Sequence, residues 1–164
     1  MIIDANIFKG YFQVTIGFNH DLCGCPKTLV EKATATDPIY YDLEGIIASE
    51  WQAVVDREWF EPWLADQLEA GTIAYLEKKI DIGFEKNLNT NGFPKSRDVI
   101  YVRVGLSAVE ATGLACALFT EDIDFYDPTK KGCAAKTRQK ILASSSGPVA
   151  KLLRKRKIEV QCVP

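Results

Sequence analysis

The chain has 164 residues, of which 47% are hydrophobic, so it is long enough to bury one sizeable core. No apolar stretch approaches the roughly 20 residues that a membrane-spanning helix needs, and Met1 is not followed by a basic signal region. We therefore expect one cytoplasmic domain over residues 1–164, with no membrane partner.

The net charge of −2 conceals two regions of opposite charge. Residues 1–127 contain 10 Lys/Arg against 21 Asp/Glu, a net charge of −11, whereas residues 128–164 contain 10 against 1, a net charge of +9. A basic segment on an acidic body favours a polyanionic partner, because clustered lysines and arginines attract phosphates.

In the amino-terminal half, short apolar runs alternate with helical periodicity. We predict a buried strand at 1–4, a polar helix–loop region at 15–37, a second strand at 39–41 and a group of packing helices at 43–79. Pro62 is expected to separate two of these helices, because proline lacks an amide hydrogen. The Asn, Gly and Pro residues of 87–94 then predict a loop.

The carboxyl-terminal half continues the alternation of helices and strands. We predict a helix at 98–113, a buried strand at 115–119, two helices at 134–145 and 149–156, and a final strand at 158–163. The two late helices form a basic segment, 129–157, before the last strand. This order of elements predicts an α/β fold with a parallel sheet flanked by helices.

Four carboxylates stand where packing alone does not account for them. Asp4 and Asp122 follow predicted strands, and ligands of open α/β sheets bind beyond the carboxyl ends of strands. Asp98 opens a predicted helix, and Glu50 interrupts an apolar helical stretch. Carboxylates that converge repel one another unless a hard cation neutralises them, so this pattern favours Mg²⁺ or Mn²⁺.

Four motifs around these acids resemble those of PIN-domain nucleases. Residues 1–6 (Met-Ile-Ile-Asp-Ala-Asn) resemble the opening strand of that family, and residues 117–125 resemble its late strand and acidic turn. Residues 49–51 (Ser-Glu-Trp) sit where the family places its helical Glu, and residues 96–105 are similar to the helix that carries its third acid. The resemblance covers residues 1–127 and the terminal strand.

The resemblance implies a three-layer α/β/α sandwich with a mostly parallel central sheet. It also implies an endoribonuclease that hydrolyses RNA with water activated by Mg²⁺ or Mn²⁺. Carried over by position, the catalytic metal ligands would be Asp4, Glu50, Asp98 and Asp122, with Asp124 as a fifth acid. Asn6 and Thr120 would orient these carboxylates from behind.

The resemblance also suggests partners. Many small PIN nucleases are toxins held in check by an antitoxin, so an antitoxin protein and a second copy of this chain join RNA as candidate partners. The basic residues are interpreted either as RNA contacts or as a solvated face. The candidate RNA contacts are Lys95, Arg97, Arg154, Lys155, Arg156 and Lys157.

The acids also have structural interpretations, which remain open at this point. Asp42 or Glu44 would take the place of Glu50 as the helical acid if the predicted register of the helix were shifted. Helix caps and turns would account for Asp4, Asp98, Asp122 and Asp124.

Other functions fit the sequence less well. His20 is the only histidine, which argues against a Ser-His-Asp or Cys-His hydrolase and against two-histidine chemistry. The segment His20–Cys25 offers too few ligands for zinc, so it is predicted as a loop. A haloacid-dehalogenase phosphatase needs a second Asp where Asn6 stands. A receiver domain needs paired acids, a phosphate-accepting Asp and a Lys after a late strand, and a layout that begins with Asp4 does not offer them. The remaining alternative is a catalytically silent PIN-like module that binds RNA or a protein.

Overall fold

The computed structural model describes residues 1–164 and has a mixed α/β architecture. The strands are β1 (Ile2–Ile3), β2 (Ile39–Asp42), β3 (Ile73–Leu76), β4 (Cys116–Phe119) and β5 (Ile158–Gln161). The helices are α1 (Ala5–Thr15), α2 (Pro26–Val30), α3 (Ile46–Ala53), α4 (Arg57–Glu69), α5 (Ile82–Thr90), α6 (Val99–Thr112), α7 (Ala135–Ser144) and α8 (Pro148–Lys155). Short 3-10 turns cover Ile123–Phe125 and Pro128–Lys130. No helix combines the length and apolarity needed to span a bilayer.

The strands pair in parallel throughout. β4 lies between β1 and β5, and β2 pairs with β3. Met1 joins the two groups, because its amino group donates to the carbonyl oxygen of Pro38 at 2.8 Å while the amide of Tyr40 donates to the carbonyl oxygen of Met1 at 2.8 Å. This alternation about one residue is the parallel pattern. The resulting order is β3-β2-β1-β4-β5, which confirms the predicted α/β class and its parallel sheet.

The strand order reverses beside β1. The chain places β2 and β3 on one side of β1 and then returns to place β4 and β5 on its other side. The gap between β1 and β4 is therefore a topological switch point, where the loops beyond the strands diverge and leave a crevice. Asp4 directly follows β1, and Thr120 directly follows β4.

The core is built against this sheet. Helix α6 contacts all five strands, and it approaches β5 so closely that a Cβ on Gly105 would lie 2.9 Å from Ile158. Fully buried Trp51 of α3 donates its indole N–H to the carbonyl oxygen of Ile3 at 3.3 Å. The ring of Phe8 from α1 stacks on the Trp51 ring with centroids 4.9 Å apart, which ties α1 and α3 to β1.

Two predictions within residues 43–79 were wrong. Helix α4 runs through Pro62 instead of stopping there. Proline removes only one backbone hydrogen bond, and the ring of Trp63 packs 4.9 Å from that of Phe8. The predicted helical stretch also contains a strand, β3, in register with β2. A four-residue apolar run has too little periodicity to separate a strand from a buried helix.

One predicted loop is partly helical. Helix α5 extends to Thr90, so the predicted loop at 87–94 begins only at Asn91. Helix α2 lies inside residues 15–37, the predicted helix–loop region. Asp81 caps α5 by accepting the amide of Phe84 at 2.9 Å. The basic segment forms α7 and α8 with a break between them, as predicted.

Candidate functional site

The hydroxyl of Thr120 links two of the predicted site acids at the switch point. Asp4 caps α1, because its Oδ1 accepts the amide of Ile7 at 2.9 Å, and its Oδ2 accepts the Thr120 hydroxyl. The same hydroxyl oxygen accepts the amide of Asp122 at 2.9 Å. β1 and β4 are neighbours, so this contact fixes Asp4 against the acidic turn that follows β4.

Burial makes negative charge costly at this point. Burial raises the pKa of Asp4 to about 6; hydrogen bonds from Thr120 and Ile7 oppose this change, and the charge of Asp122 adds to it. Burial also raises the pKa of Asp122, and the charges of Asp124 and Asp98 raise it further. These aspartates therefore lie within each other's electrostatic field.

Asp122 and Asp98 are each held by one carboxylate oxygen. Asp122 begins a 3-10 turn, where its Oδ1 accepts the amide of Asp124 at 2.9 Å. Asp98 precedes α6 without capping it, and its Oδ2 accepts the hydroxyl of Ser96 at 2.5 Å. The second oxygen of each carboxylate has no hydrogen-bond partner in the protein, so each can serve as a ligand.

Glu50 is held by a tyrosine that the sequence did not indicate. Its Oε2 accepts the hydroxyl of Tyr101 at 2.6 Å, and Tyr101 is 2% exposed. Burial raises the pKa of Tyr101, as do the hydrogen bond to Glu50 and the charges of Glu50 and Asp4. The hydroxyl therefore stays protonated and donates to Glu50, beside Asp4.

The two acids that could have replaced Glu50 have other roles. Asp42 is fully buried and caps the start of α3, since its two oxygens accept the amides of Ile46 at 2.8 Å and Ile47 at 2.7 Å. Glu44 forms an ion pair with Lys78 at 2.9 Å. Glu50 is thus the acid that α3 brings toward Tyr101.

Asp124 is paired with a lysine of the basic segment. Its carboxylate is 5% exposed, and its Oδ2 lies 2.7 Å from the ammonium of Lys131. The hydrogen bond to Asp124 raises the pKa of Lys131, and the charges of Asp124, Asp122 and Asp98 add to this. Lys131 therefore neutralises part of the acidic site, a contact that charge counting along the sequence could not locate.

The other predicted residues divide between the two edges of the sheet. The side chain of Asn6 is exposed and makes no hydrogen bond to a carboxylate; its backbone N–H supports Asp4 instead. Lys95 and Arg97 are exposed on the loop that leads to Asp98, so they border the acids. The sequence alone sets these two residues apart from the basic run Arg154–Lys157, because they stand just before Asp98.

The basic run Arg154–Lys157 ends at the amino edge of the sheet. Lys157 immediately precedes β5, and its ammonium donates to the carbonyl oxygen of Gly113 at 3.1 Å, just before β4. The acids lie beyond the other ends of these strands, and four strand residues span about 13 Å. The structure therefore places Lys95 and Arg97 near the acids and Lys157 at the opposite edge. The guanidinium of Arg154 donates to the carbonyl oxygen of Ser145 at 3.2 Å, and Arg156 forms an ion pair with Asp81.

The acids suit a metal ion by their chemistry more than by their spacing. All five are carboxylates, the oxygen ligands that Mg²⁺ and Mn²⁺ prefer. As the side chains lie, no three His, Cys, Asp or Glu residues are close enough to hold one ion. Joint coordination would require the unpartnered oxygens of Glu50, Asp98 and Asp122 to move inward.

Comparisons with family models, with curated proteins and with solved structures gave no match to this chain.

Proposed function

We propose that the protein is a metal-dependent ribonuclease with a PIN-like three-layer α/β/α architecture and an active site at the carboxyl edge of its sheet. The observation that carries this proposal is the Thr120 hydroxyl, which holds Asp4 against the start of the turn at Asp122. Parallel sheets bind ligands at such a switch point. Carboxylates that lie within each other's electrostatic field oppose folding by mutual repulsion, and a bound cation would offset that repulsion.

Each acid has a role in this proposal. Asp4 is fixed by hydrogen bonds on both oxygens, whereas Glu50, Asp98 and Asp122 each offer one oxygen without a protein partner. A bound divalent cation would lower the pKa of water and stabilise the charge that develops on phosphate. Tyr101 keeps Glu50 in place through its hydroxyl.

Basic residues near the acids support RNA as the substrate. Lys95 and Arg97 are exposed beside Asp98, and the guanidinium of Arg138 donates to the carbonyl oxygen of Glu121 next to the acidic turn. A phosphodiester strand can contact these cations while it passes the acids. The basic run at the amino edge would then contribute attraction at longer range.

A cleavage assay tests the proposal. Purified protein is incubated with labelled single-stranded RNA in Mn²⁺, in Mg²⁺ or in EDTA, beside the variants Glu50→Gln and Glu69→Gln. We expect cleavage only with a divalent ion. Glu50→Gln should reduce the rate on the order of 100-fold or more, beyond the effect usual for residues behind a ligand. Glu69 is exposed at the amino edge, so its variant should cleave like the parent. Cleavage in EDTA, or full activity of Glu50→Gln, contradicts the proposal.

The second candidate is a catalytically silent module that binds RNA or a protein. It is favoured by the ion pair between Lys131 and Asp124, which already neutralises one acid, and by the separation of the acids. The same assay separates the two functions. RNA binding without cleavage in Mn²⁺, by both the parent and Lys131→Met, identifies the silent module.

A further inference from the structure

We propose that the groove between α3 and α6 binds one unpaired nucleotide of the RNA strand, next to the acids. This inference rests on the proposed function and adds a nucleotide-binding subsite to it. The groove has a volume of about 380 Å³. Its lining residues are Ile46, Ser49, Arg97, Val99, Ile100 and Arg103.

The position of the groove follows from helical spacing. Ile46 and Ser49 are three residues apart on α3, and Ile100 and Arg103 are three residues apart on α6, so each pair presents one face. Ser49 is adjacent to Glu50 in the chain, and Arg97 and Val99 flank Asp98. The groove therefore opens beside two of the proposed metal ligands.

The chemistry of the groove suits a base and its phosphate. Buried Ile100 with half-buried Ile46 and Val99 forms an apolar floor, which can cover the face of a base. Its volume falls in the range of small-ligand sites, roughly 300–1,000 Å³. A base in a duplex is stacked and paired, so only an unpaired nucleotide can enter.

The two arginines have different roles. Arg103 is held by Glu85 through two hydrogen bonds of 2.8 Å, so its charge is already matched and it forms a rigid wall. Arg97 is exposed and makes no hydrogen bond or ion pair in the protein. An unmatched guanidinium at the mouth of an apolar groove can stack on a base or bind its phosphate. This charge favours an anionic nucleotide over an apolar peptide.

Anisotropy of a labelled single-stranded RNA hexamer, measured in EDTA so that no cleavage occurs, tests the inference. Arg97→Gln should weaken binding about fivefold or more and reduce the slope of log affinity against log salt by about 0.7, as for one lost single-strand phosphate contact. Ser49→Phe should weaken binding by a similar factor and leave the slope unchanged, because it fills the groove without removing charge. A duplex of the same sequence should bind more weakly.

Matched controls are available elsewhere on the chain. Ser144 is exposed on α7 and donates its hydroxyl to the carbonyl oxygen four residues earlier at 2.7 Å, as Ser49 does on α3, so Ser144→Phe is the control for Ser49→Phe. Exposed Lys32, which has no ion pair, supplies Lys32→Gln as the control for Arg97→Gln. Both controls should bind RNA like the parent.

The outcomes separate this inference from the proposed function. If Ser49→Phe and Arg97→Gln bind the RNA as tightly as the parent does, or if the duplex binds equally well, the groove does not bind a nucleotide. Its apolar floor would then suit a peptide of a protein partner. Cleavage that persists with an unchanged KM in both variants overturns the groove while the ribonuclease stands. If the two variants weaken RNA binding but the parent does not cleave RNA in Mn²⁺, the nucleotide groove is supported and the proposed ribonuclease function is contradicted.

Discussion

The exposed ammonium of Lys131 lies 2.7 Å from the buried carboxylate of Asp124, so the basic segment reaches into the acidic site. The charges of Asp122 and Asp98 also act on Lys131. A divalent cation that binds these acids must therefore compete with a lysine already there.

Removing this lysine should favour the metal. We expect Lys131→Met to bind Mn²⁺ several-fold more tightly than the parent, because the ammonium no longer competes for the same carboxylates. Isothermal titration with Mn²⁺ measures this, and Lys130→Met, which alters an exposed neighbour without an ion pair, is the control. Weaker Mn²⁺ binding by Lys131→Met would show that the lysine organises the site instead of competing for it.

Asp4 should lower the stability of the metal-free protein above acidic pH. Its pKa rises from 3.8 to about 6 on folding, so between these values the unfolded chain loses the proton first. The folded state then binds more protons, and the free energy of unfolding falls as pH rises through this window and stays low above it. The difference corresponds to about 3 kcal/mol.

Asp4→Asn removes this penalty while keeping the cap on α1, since Asn also caps helices well. In EDTA at pH 7 the variant should be more stable than the parent by up to about 3 kcal/mol, and the two should converge near pH 3. Denaturant melts across pH measure this, with Asp66→Asn on the exposed side of α4 as the control. A variant that is less stable than the parent at pH 7 shows that the carboxylate stabilises the fold.

Tyr101 should act as a positioning residue for Glu50. Tyr101→Phe removes the hydroxyl and leaves the buried ring, so we expect a stability loss of only about 1 kcal/mol. Mn²⁺ affinity and cleavage rate should each fall by about 10- to 100-fold, as for other residues that orient ligands. Tyr40→Phe, near Asp37 and Cys116 and away from the acids, should change neither. If Tyr101→Phe lowers stability while metal affinity is unchanged, the hydroxyl serves packing alone.

The basic run at the amino edge should affect binding but not the rate. Replacing Arg154, Lys155, Arg156 and Lys157 by glutamine should weaken RNA affinity and flatten its salt dependence, because each lost phosphate contact lowers the log–log slope by about 0.7 for a single strand. The rate at saturating RNA should stay unchanged, because none of the four side chains is hydrogen-bonded or ion-paired to a site acid, and β5 separates Lys157 from the acids by about 13 Å. An unchanged slope identifies the run as a solvated face.

The sequence was most informative where short-range rules apply. Asp4 and Thr120 follow apolar runs that form neighbouring strands, and the rule for parallel sheets brings strand ends together. Lys131 and Tyr101 were not expected at the acids, because their contacts depend on how the basic segment and α6 pack in three dimensions. β3 was missed because a four-residue apolar run carries too little periodicity.

Thermal melting with Mn²⁺ tests most directly whether the acids form one cation site. The parent should melt at higher temperature as Mn²⁺ is added, because the ion binds the folded state alone. Asp98→Asn should be at least as stable as the parent in EDTA, since the amide is nearly isosteric and removes a repulsion on Asp122, yet it should lose the response to Mn²⁺. Glu69→Gln should respond like the parent. If Asp98→Asn keeps the full Mn²⁺ response, or if the parent shows none, the acids at the switch point do not act together as a metal site.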